Sequence, residues 1–501
     1  MHESETHLSE FQERKLILLL CCIAAIHVFI FSAAFPFFNN VDEQAHFDLA
    51  VKYSQWQVPR KLEPVSAESA RYIGAYGTME YMVNPAKLPD GKFPPPLWMQ
   101  PLETAAPELV AGESNWRKVI NWESGQPPLY YICGGLWWRL GGWLGFDGLR
   151  LLYWLRFLNI PLICATVWTG YVAARLIFPE NIFGRFCVPT FIAFMPQPTF
   201  YSLENDTLSP LAFGVAFIGL TKFLCEETPG AVWGIVTGLA LAATFLTKMT
   251  NLPLLVIGVV VVLLKIFHTR KSKSLRALFP SIATMAISAG LLAGPWMAWC
   301  RENFGDLTGS ITKTRYLGLT CKPFGEWWHH PIFTPHGAWF FLSGNLGTFW
   351  QGEFLWHGGR LTWLPADALY TLASLFLLAV AAAGLWQHRA IPAPAQRAAL
   401  AFALAVCAAG LTFYALLSVI YDFRNCTNPS PALPYFVSGR MLLGTLIPFM
   451  LLFVYGFDRL LGRFGNRAKF PALASMVSAM LILEITTDWP VFFSQYNWFH
   501  L

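Results

Sequence analysis

Charge is scarce in this sequence. Of 501 residues only 13% are charged, 35 Lys and Arg against 30 Asp and Glu, while 55% are hydrophobic and the mean hydropathy is +0.44. A soluble domain of this length would need far more polar surface, so the composition excludes one and points to a polytopic membrane protein. The net charge of +5 is small, and its cations cluster in short loops beside apolar runs, which excludes a nucleic-acid footprint. Strict apolar/polar alternation is also missing, so the spans are helices and not barrel strands. No CxxC spacing occurs among the ten cysteines, which argues against a zinc site. Cys21, Cys22, Cys164, Cys187 and Cys407 lie inside apolar runs, where cysteine is ordinarily a small packing residue. An internal repeat is not evident, so the inverted-repeat signature of many secondary transporters is absent. Nor does the first apolar run end in a small-residue cleavage site, so it reads as a retained helix.

What is present is a series of long apolar runs. They predict about eleven spans, near 15–37, 151–177, 186–203, 207–224, 231–247, 251–267, 277–299, 366–386, 398–420, 439–457 and 470–487. A further stretch, "PPLYYICGGLWWRLGG" from Pro127, is shorter and rich in interfacial Tyr and Trp. If it lies flat, the densest basic loops, "RLIFPENIFGR", "HTRKSKSLR", "QHRAIPAPAQR" and "DRLLGRFGNRAK", all become cytoplasmic; if it crosses, all become external. The positive-inside rule selects the flat placement, with a cytoplasmic N-terminus and an external C-terminus. Three external regions follow: a long first loop at about 38–150, an aromatic-rich loop at 301–365, and a shorter one at about 421–438. The expected division is a catalytic membrane module over 1–300, the loop 301–365, and C-terminal helices over 366–501. Cys321 and Cys426 fall in the outer loops and could pair as a disulfide, although two unpaired thiols are the ordinary outcome.

The polar residues concentrate at the external span ends. In "VDEQAHFD", Asp42, Glu43 and His46 stand three and four residues apart, so a helix would carry them on one face. A carboxylate there can take a proton from a hydroxyl nucleophile while its neighbours orient it or help hold a cation. The competing reading is that Asp42 merely caps the following helix. "WESGQPPLYY" offers Gln126 and Tyr130 as substrate-binding groups, though the two prolines also read as a plain helix start. "YSLENDTLSP" adds Glu204, Asn205 and Asp206, more acid than a cap requires. Lys248 and Arg440 are fixed cations at span ends that can hold a lipid phosphate, or simply snorkel to the headgroups.

These pieces, in order "VDEQAHFD", "GQPPLYY", "SLENDTLSPL", "TFLTKMTNLPLL", "GTFWQGEFLW" and "SGRMLLGTLIPF", resemble the GT-C superfamily of membrane glycosyltransferases, and within it the DUF2142 family of bacterial membrane proteins. The resemblance spans nearly the whole chain. It implies an all-α GT-C-like bundle of about eleven transmembrane helices in the bacterial inner (plasma) membrane, with horizontal helices in the first external loop. It also implies an inverting transfer of sugar from a polyprenyl-phosphate donor to a glycan, lipid or protein acceptor. Asp42 then looks like the general base, Glu43 its acidic neighbour and Asp206 the second-loop acid, with His46, Gln126, Tyr130, Glu204, Asn205, Lys248 and Arg440 around the substrate. A divalent cation held by Asp42, Glu43, His46 and Asp206 is left open, because residues 204–206 read Glu-Asn-Asp and not DxD. The rival readings are a transporter or flippase of a lipid-linked glycan, which would favour ionisable groups near mid-span, and a non-catalytic scaffold on the same fold.

Overall fold

The computed structural model describes residues 9–269, 275–387, 393–424, 426 and 428–500. The fold is all-α and polytopic. Its helices are α1 (Glu10–Ala34), α2 (Glu43–Ser54), α3 (Ala67–Tyr76), α4 (Leu102–Trp116), α5 (Leu129–Trp143), α6 (Gly148–Arg156), α7 (Asn159–Ile177), α8 (Ile182–Ala193) and α9 (Ser209–Cys225). There follow α10 (Ala231–Thr247), α11 (Leu252–Thr269), α12 (Leu275–Phe304), α13 (Ser310–Tyr316), α14 (Pro335–Gln351), α15 (Leu364–Trp386), α16 (Pro394–Ile420), α17 (Leu446–Leu461) and α18 (Lys469–Phe492). Among the described residues nine helical segments are long and apolar enough to cross a membrane, and α8 and α10 are shorter apolar helices.

The segment Gly439–Phe464, which contains α17, forms the hub of the bundle: 89% of its apolar window is buried, against 17% for the segment containing α18. An all-round apolar helix is what a central position requires, whereas peripheral helices turn one face to lipid. Between α10 and α12 the backbones meet closely, because a Cβ on Gly234 or Gly238 would strike the Ser281 or Met285 carbonyl. α1 starts with a reciprocal cap: the Gln12 amide donates to Ser9 Oγ at 3.3 Å and the Ser9 amide to Gln12 Oε1 at 2.9 Å.

One expected span is corrected. The stretch 186–203 is not a single crossing helix; α8 stops at Ala193, and residues 198–201 form a short 3₁₀ turn. Pro196 and Pro198 explain the stop, since neither can donate into a helical ladder. The flat segment becomes α5, a helix of 15 residues, shorter than the roughly 20 that a crossing requires. It packs on α2, where a Cβ at Gly135 would meet the Ser54 amide. Region 301–365 is more than loop: α14 packs against α15, with Phe349 and Trp350 in the main core. The expected topology markers at 270–274 and 388–392 lie outside the described residues.

Loop 1 is a compact layer of its own. α2, α3, α5 and α6 enclose two apolar clusters, one around Phe47, Trp138 and Tyr153 and one around Tyr53, Tyr130 and Tyr131. β1 (Glu63–Pro64) pairs antiparallel with β2 (Ile120–Asn121) and ties the ends of the layer. Arg156 anchors this layer to the end of α1. Its fully buried guanidinium donates to the carbonyls of Phe35 (2.5 Å), Ser32 (3.2 Å) and Pro36 (3.2 Å) and pairs with Glu43 at 2.7 Å. Elsewhere β3 (Thr320–Cys321) pairs with β6 (Tyr421–Asp422), and β4 (Leu355–Trp356) with β5 (Gly359–Arg360). β3 and β6 join region 301–365 to region 421–438 by backbone bonds, and Cys321 and Cys426 are both free thiols, so the disulfide considered for them is not formed.

Candidate active site

The site forms where seven chain segments, around residues 42, 123, 205, 248, 313, 353 and 440, converge at the loop end of the bundle. Asp42 occupies the position before α2 in a left-handed conformation, φ 68° and ψ 0°, and its side chain makes no capping bond. A non-glycine residue held there is strained, and such strain persists only where its surroundings fix it. They do so here. Arg440 Nη2 donates to Asp42 Oδ2 at 2.8 Å, and the Trp122 indole donates to Oδ1 at 3.2 Å.

Arg440 is the centre of the arrangement. Its Nε donates to Glu353 at 2.9 Å, Nη1 to Glu204 at 2.7 Å and to the Val41 carbonyl at 3.3 Å, and Asp206 lies 3.8 Å from Nη1. Four carboxylates from three segments therefore share one guanidinium. Asn40 donates to the other oxygen of Glu204 at 2.5 Å, and Lys248 pairs with Asp206. Glu204 and Asp206 are fully buried, whereas the Asp42 and Glu353 side chains are each 21% exposed. Only these two of the four acids have an open edge.

A second set of contacts adjoins the first. Lys313 on α13 pairs with Glu123, Gln126 donates to Glu123 at 2.5 Å, and Asn205 donates to Gln126 at 3.4 Å. His46 is buried with Nδ1 2.7 Å from the Tyr131 hydroxyl. Burial pushes its imidazole down to about 4, further than the nearby acids raise it, so His46 is neutral at pH 7. Burial pushes the Asp42 carboxyl up, but Arg440 and then Lys313, joined by His46 once acid protonates it, outweigh burial and hold the group below the usual carboxylate range. Glu123 is likewise held low: burial opposes, and Lys313 prevails.

Beside Asp42 lies a cavity of about 170 Å³, walled by Val41, Gln44, Val65, Tyr81, Trp116 and Trp122. A larger one, about 440 Å³, lies between Lys322, His329 and Asp422, and none of the expected site residues lines it. Size does not decide between them. The smaller cavity meets the strained acid and is the one tied to the cluster.

The structure brings Asp42, Glu204, Asp206, Lys248 and Arg440 together, with Asn205 adjoining through Gln126. It separates others from the roles expected of them. Glu43 is turned away from the cavity and accepts from Arg156, from the Phe38 amide (2.8 Å) and from the Leu203 amide (3.0 Å), a structural place. Asp42, Glu43 and His46 thus do not act as one face, because each is captured by a different partner. Gln126 and Tyr130, expected at the substrate, do not line the cavity: Gln126 links Glu123 to Asn205, and Tyr130 is buried among Leu49, Tyr53 and Leu158. Arg440, expected as a phosphate clamp, is already ringed by carboxylates. Glu123, Glu353, Lys313, Trp122 and Asn40 were not singled out from the sequence. Glu123 and Glu353 stand inside quoted motifs, and a buried acid beside a fixed cation is the signal that would have found them.

A divalent cation does not fit these residues as placed. Asp42, Glu43, His46 and Asp206 point at Arg440, Arg156, Tyr131 and Lys248 respectively. Among the described residues, no group of three or more His, Cys, Asp or Glu is placed to hold a metal ion. The point where the carboxylates converge is filled by the guanidinium.

No family model matches the chain, and no curated protein matches it. Among solved structures, the archaeal oligosaccharyltransferase AglB from Archaeoglobus fulgidus, in complex with an inhibitory peptide and a dolichol-phosphate, is similar over 97% of this chain at 11% identity and a TM-score of 0.43. This chain spans 56% of that structure's length. A likeness of that size is coarse, and the chemistry has to be read from the chain's own residues.

Proposed function

We propose that the chain is a membrane glycosyltransferase that moves a sugar from a polyprenyl-phosphate donor to a glycan, lipid or protein acceptor, with the loop end of the bundle on the external face. The observation that carries this reading is Asp42: an acid held in strained backbone, not used as a cap, fixed by Arg440 and Trp122, and open to a cavity. The cavity is smaller than the roughly 300–1,000 Å³ of typical ligand pockets, which suits the reacting end of an acceptor. Trp116, Trp122 and Tyr81 supply the aromatic walls that sugar rings pack against.

In the step we propose, an acceptor hydroxyl oxygen attacks the anomeric carbon and its proton passes to the Asp42 carboxylate. The bond from that carbon to the phosphate oxygen breaks, its electron pair leaves with the polyprenyl phosphate, and the carbon is inverted. Each Asp42 oxygen has a second lone pair beyond the bonds to Arg440 and Trp122, so the carboxylate can accept the proton without losing its anchors. Glu204, Asp206 and Glu353 hold the guanidinium that orients Asp42.

The transporter reading is favoured by one observation, the ionisable side chains His27, Glu484 and Asp488 inside the spans. His27 and Glu484 bond to each other across α1 and α18 and both meet Tyr201, which accounts for these two as a helix seam. The test is sugar transfer from a panel of polyprenyl-phosphate sugars by wild type and Asp42→Asn in detergent. Loss of a general base lowers the rate about 10²–10⁴-fold, with donor binding and thermal stability retained. Equal rates would remove Asp42 from the chemistry, and movement of intact lipid across vesicles without turnover would favour the transporter.

A further inference from the structure

Three cations stand at the site, and they are not equally free. Arg440 is buried and spends its guanidinium on Asp42, Glu204 and Glu353. Lys248 is buried and paired with Asp206. Lys313 differs: its side chain is 32% exposed, and among the described residues Glu123 is its one hydrogen-bonding partner. An ammonium has three donors, so at least two of these remain for an incoming anion.

Its place in the fold is equally specific. Lys313 lies nine residues beyond the end of α12, a helix that turns Ile287, Leu291 and Leu292 outward. An isoprenoid chain lying along that face would carry its phosphate to the level of α13. The contact between α13 and the Glu123 loop is fixed by two glycines. Gly309 has φ +72°, and a Cβ there would stand 2.7 Å from the Gly125 carbonyl, as would a Cβ at Gly125 from that of Gly309. Asp306 sets the turn by accepting from the Gly309 amide at 2.7 Å and from the Thr308 hydroxyl at 2.8 Å. Lys313 therefore stands at the junction of the acid cluster and a lipid-facing helix.

Resting on the glycosyltransferase reading, we infer that Lys313 is the cation that receives the donor's phosphate, and that Glu123 is the internal carboxylate which holds the ammonium until that phosphate arrives. The exchange has a consequence for the base. Lys313 is one of the positive charges that stabilise ionised Asp42 and Glu123. When a phosphate engages the ammonium, its negative charge offsets that support and makes Asp42 a better proton acceptor as the leaving group becomes seated. Donor binding and activation of the base would then be a single event.

The test uses the full chain in detergent with farnesyl phosphate, farnesol and inorganic phosphate as separate probes. Because Lys313→Gln alone strands a buried Glu123, the double variant Glu123→Gln/Lys313→Gln serves as a fold-neutral control, checked by thermal stability. Both variants are expected to bind farnesyl phosphate about tenfold more weakly than wild type, as loss of a charged hydrogen bond implies, with farnesol unaffected. Glu123→Gln alone frees the ammonium and tightens farnesyl phosphate. Phosphate-dependent binding that survives unchanged in both Lys313 variants would overturn the assignment of Lys313 and leave the donor reading standing. Equal binding of farnesol and farnesyl phosphate by wild type would overturn both, and binding of inorganic phosphate as tight as farnesyl phosphate would show a free-anion site in place of a lipid one.

Discussion

Among the described residues, two of the buried groups of ionisable side chains are satisfied differently. Around Arg440, four carboxylates are held by one guanidinium, Lys248 takes a further bond, and Asp42 keeps an edge on a cavity. Between α1 and α18, His27 Nε2 meets Glu484 at 2.9 Å, its Nδ1 meets the Ala193 carbonyl at 3.2 Å, and the Tyr201 hydroxyl donates to Glu484 at 2.5 Å. Phe31 packs edge-on against the imidazole at 5.0 Å, and all these side chains are buried. The second group needs no Lys or Arg and presents what a helix seam needs: each polar atom partnered across the interface. The first carries more charge than packing requires, and one of its members, Asp42, opens onto a cavity. Excess charge together with access separates a candidate site from interhelical adhesion.

The comparison breaks most sharply at Arg440. Arg440→Met leaves Asp42, Glu204, Asp206 and Glu353 around an apolar side chain, and removing one partner of a buried ion pair costs about 3–5 kcal/mol. A large fall in thermal stability is expected, followed by tryptophan fluorescence in detergent. Arg440→Lys should recover part of it, since an ammonium restores the charge but not the planar fork. If Arg440→Met unfolded no earlier than wild type, the carboxylates would not depend on the guanidinium.

A smaller effect is expected on the other side of the comparison. Glu484→Leu leaves His27 Nε2 and the Tyr201 hydroxyl only their 3.4 Å contact with each other, and poorly partnered buried polar groups cost about 1–3 kcal/mol. Transfer activity per folded molecule should stay at the wild-type level, because this seam touches neither the cavity nor the acid cluster. A Glu484→Leu protein that folds yet has lost transfer would join the two groups into one function.

Much of this arrangement was legible in the sequence, and the rest was hidden for identifiable reasons. The apolar runs gave the spans directly because a bilayer imposes length. Asp42, Glu204, Lys248 and Arg440 could be grouped because span ends on one side must meet at one face. The misplaced span, 186–203, carried its own warning in Pro196 and Pro198. Glu43 could not be read correctly from helical spacing, since its partner Arg156 lies 113 residues away and only the fold delivers it. Glu353 sits in an irregular connection and Lys313 on a helix of only seven residues, α13, and neither carries a periodicity that indicates which way its side chain points.

The smallest expected effect lies in the anchoring of loop 1, where charge has been removed and not concentrated. Glu80 is buried, accepts from the Ser494 hydroxyl at 2.6 Å and from Thr78 Oγ1 at 3.4 Å, and so ties loop 1 to the segment after α18. Burial raises its carboxyl from 4.5 to about 7, although both hydroxyls pull it down. A carboxyl whose folded value is raised binds its proton more tightly in the folded state, so its contribution is fully present below about 4.5 and is lost as the pH rises through 7. Glu80→Gln fixes the neutral form. The variant should lie near wild type at pH 5 and exceed it at pH 8 by about 2 kcal/mol, a gain of about 2 °C in a chain of 501 residues. His357, whose amide donates to the Glu80 carbonyl at 2.6 Å, is itself shifted down by burial and contributes the opposite slope. Because His357 is common to both proteins, the difference between their melting curves isolates Glu80. Parallel curves from pH 5 to 8 would mean that Glu80 is ionised in the fold, and that loop 1 carries a buried charge as the acid cluster does.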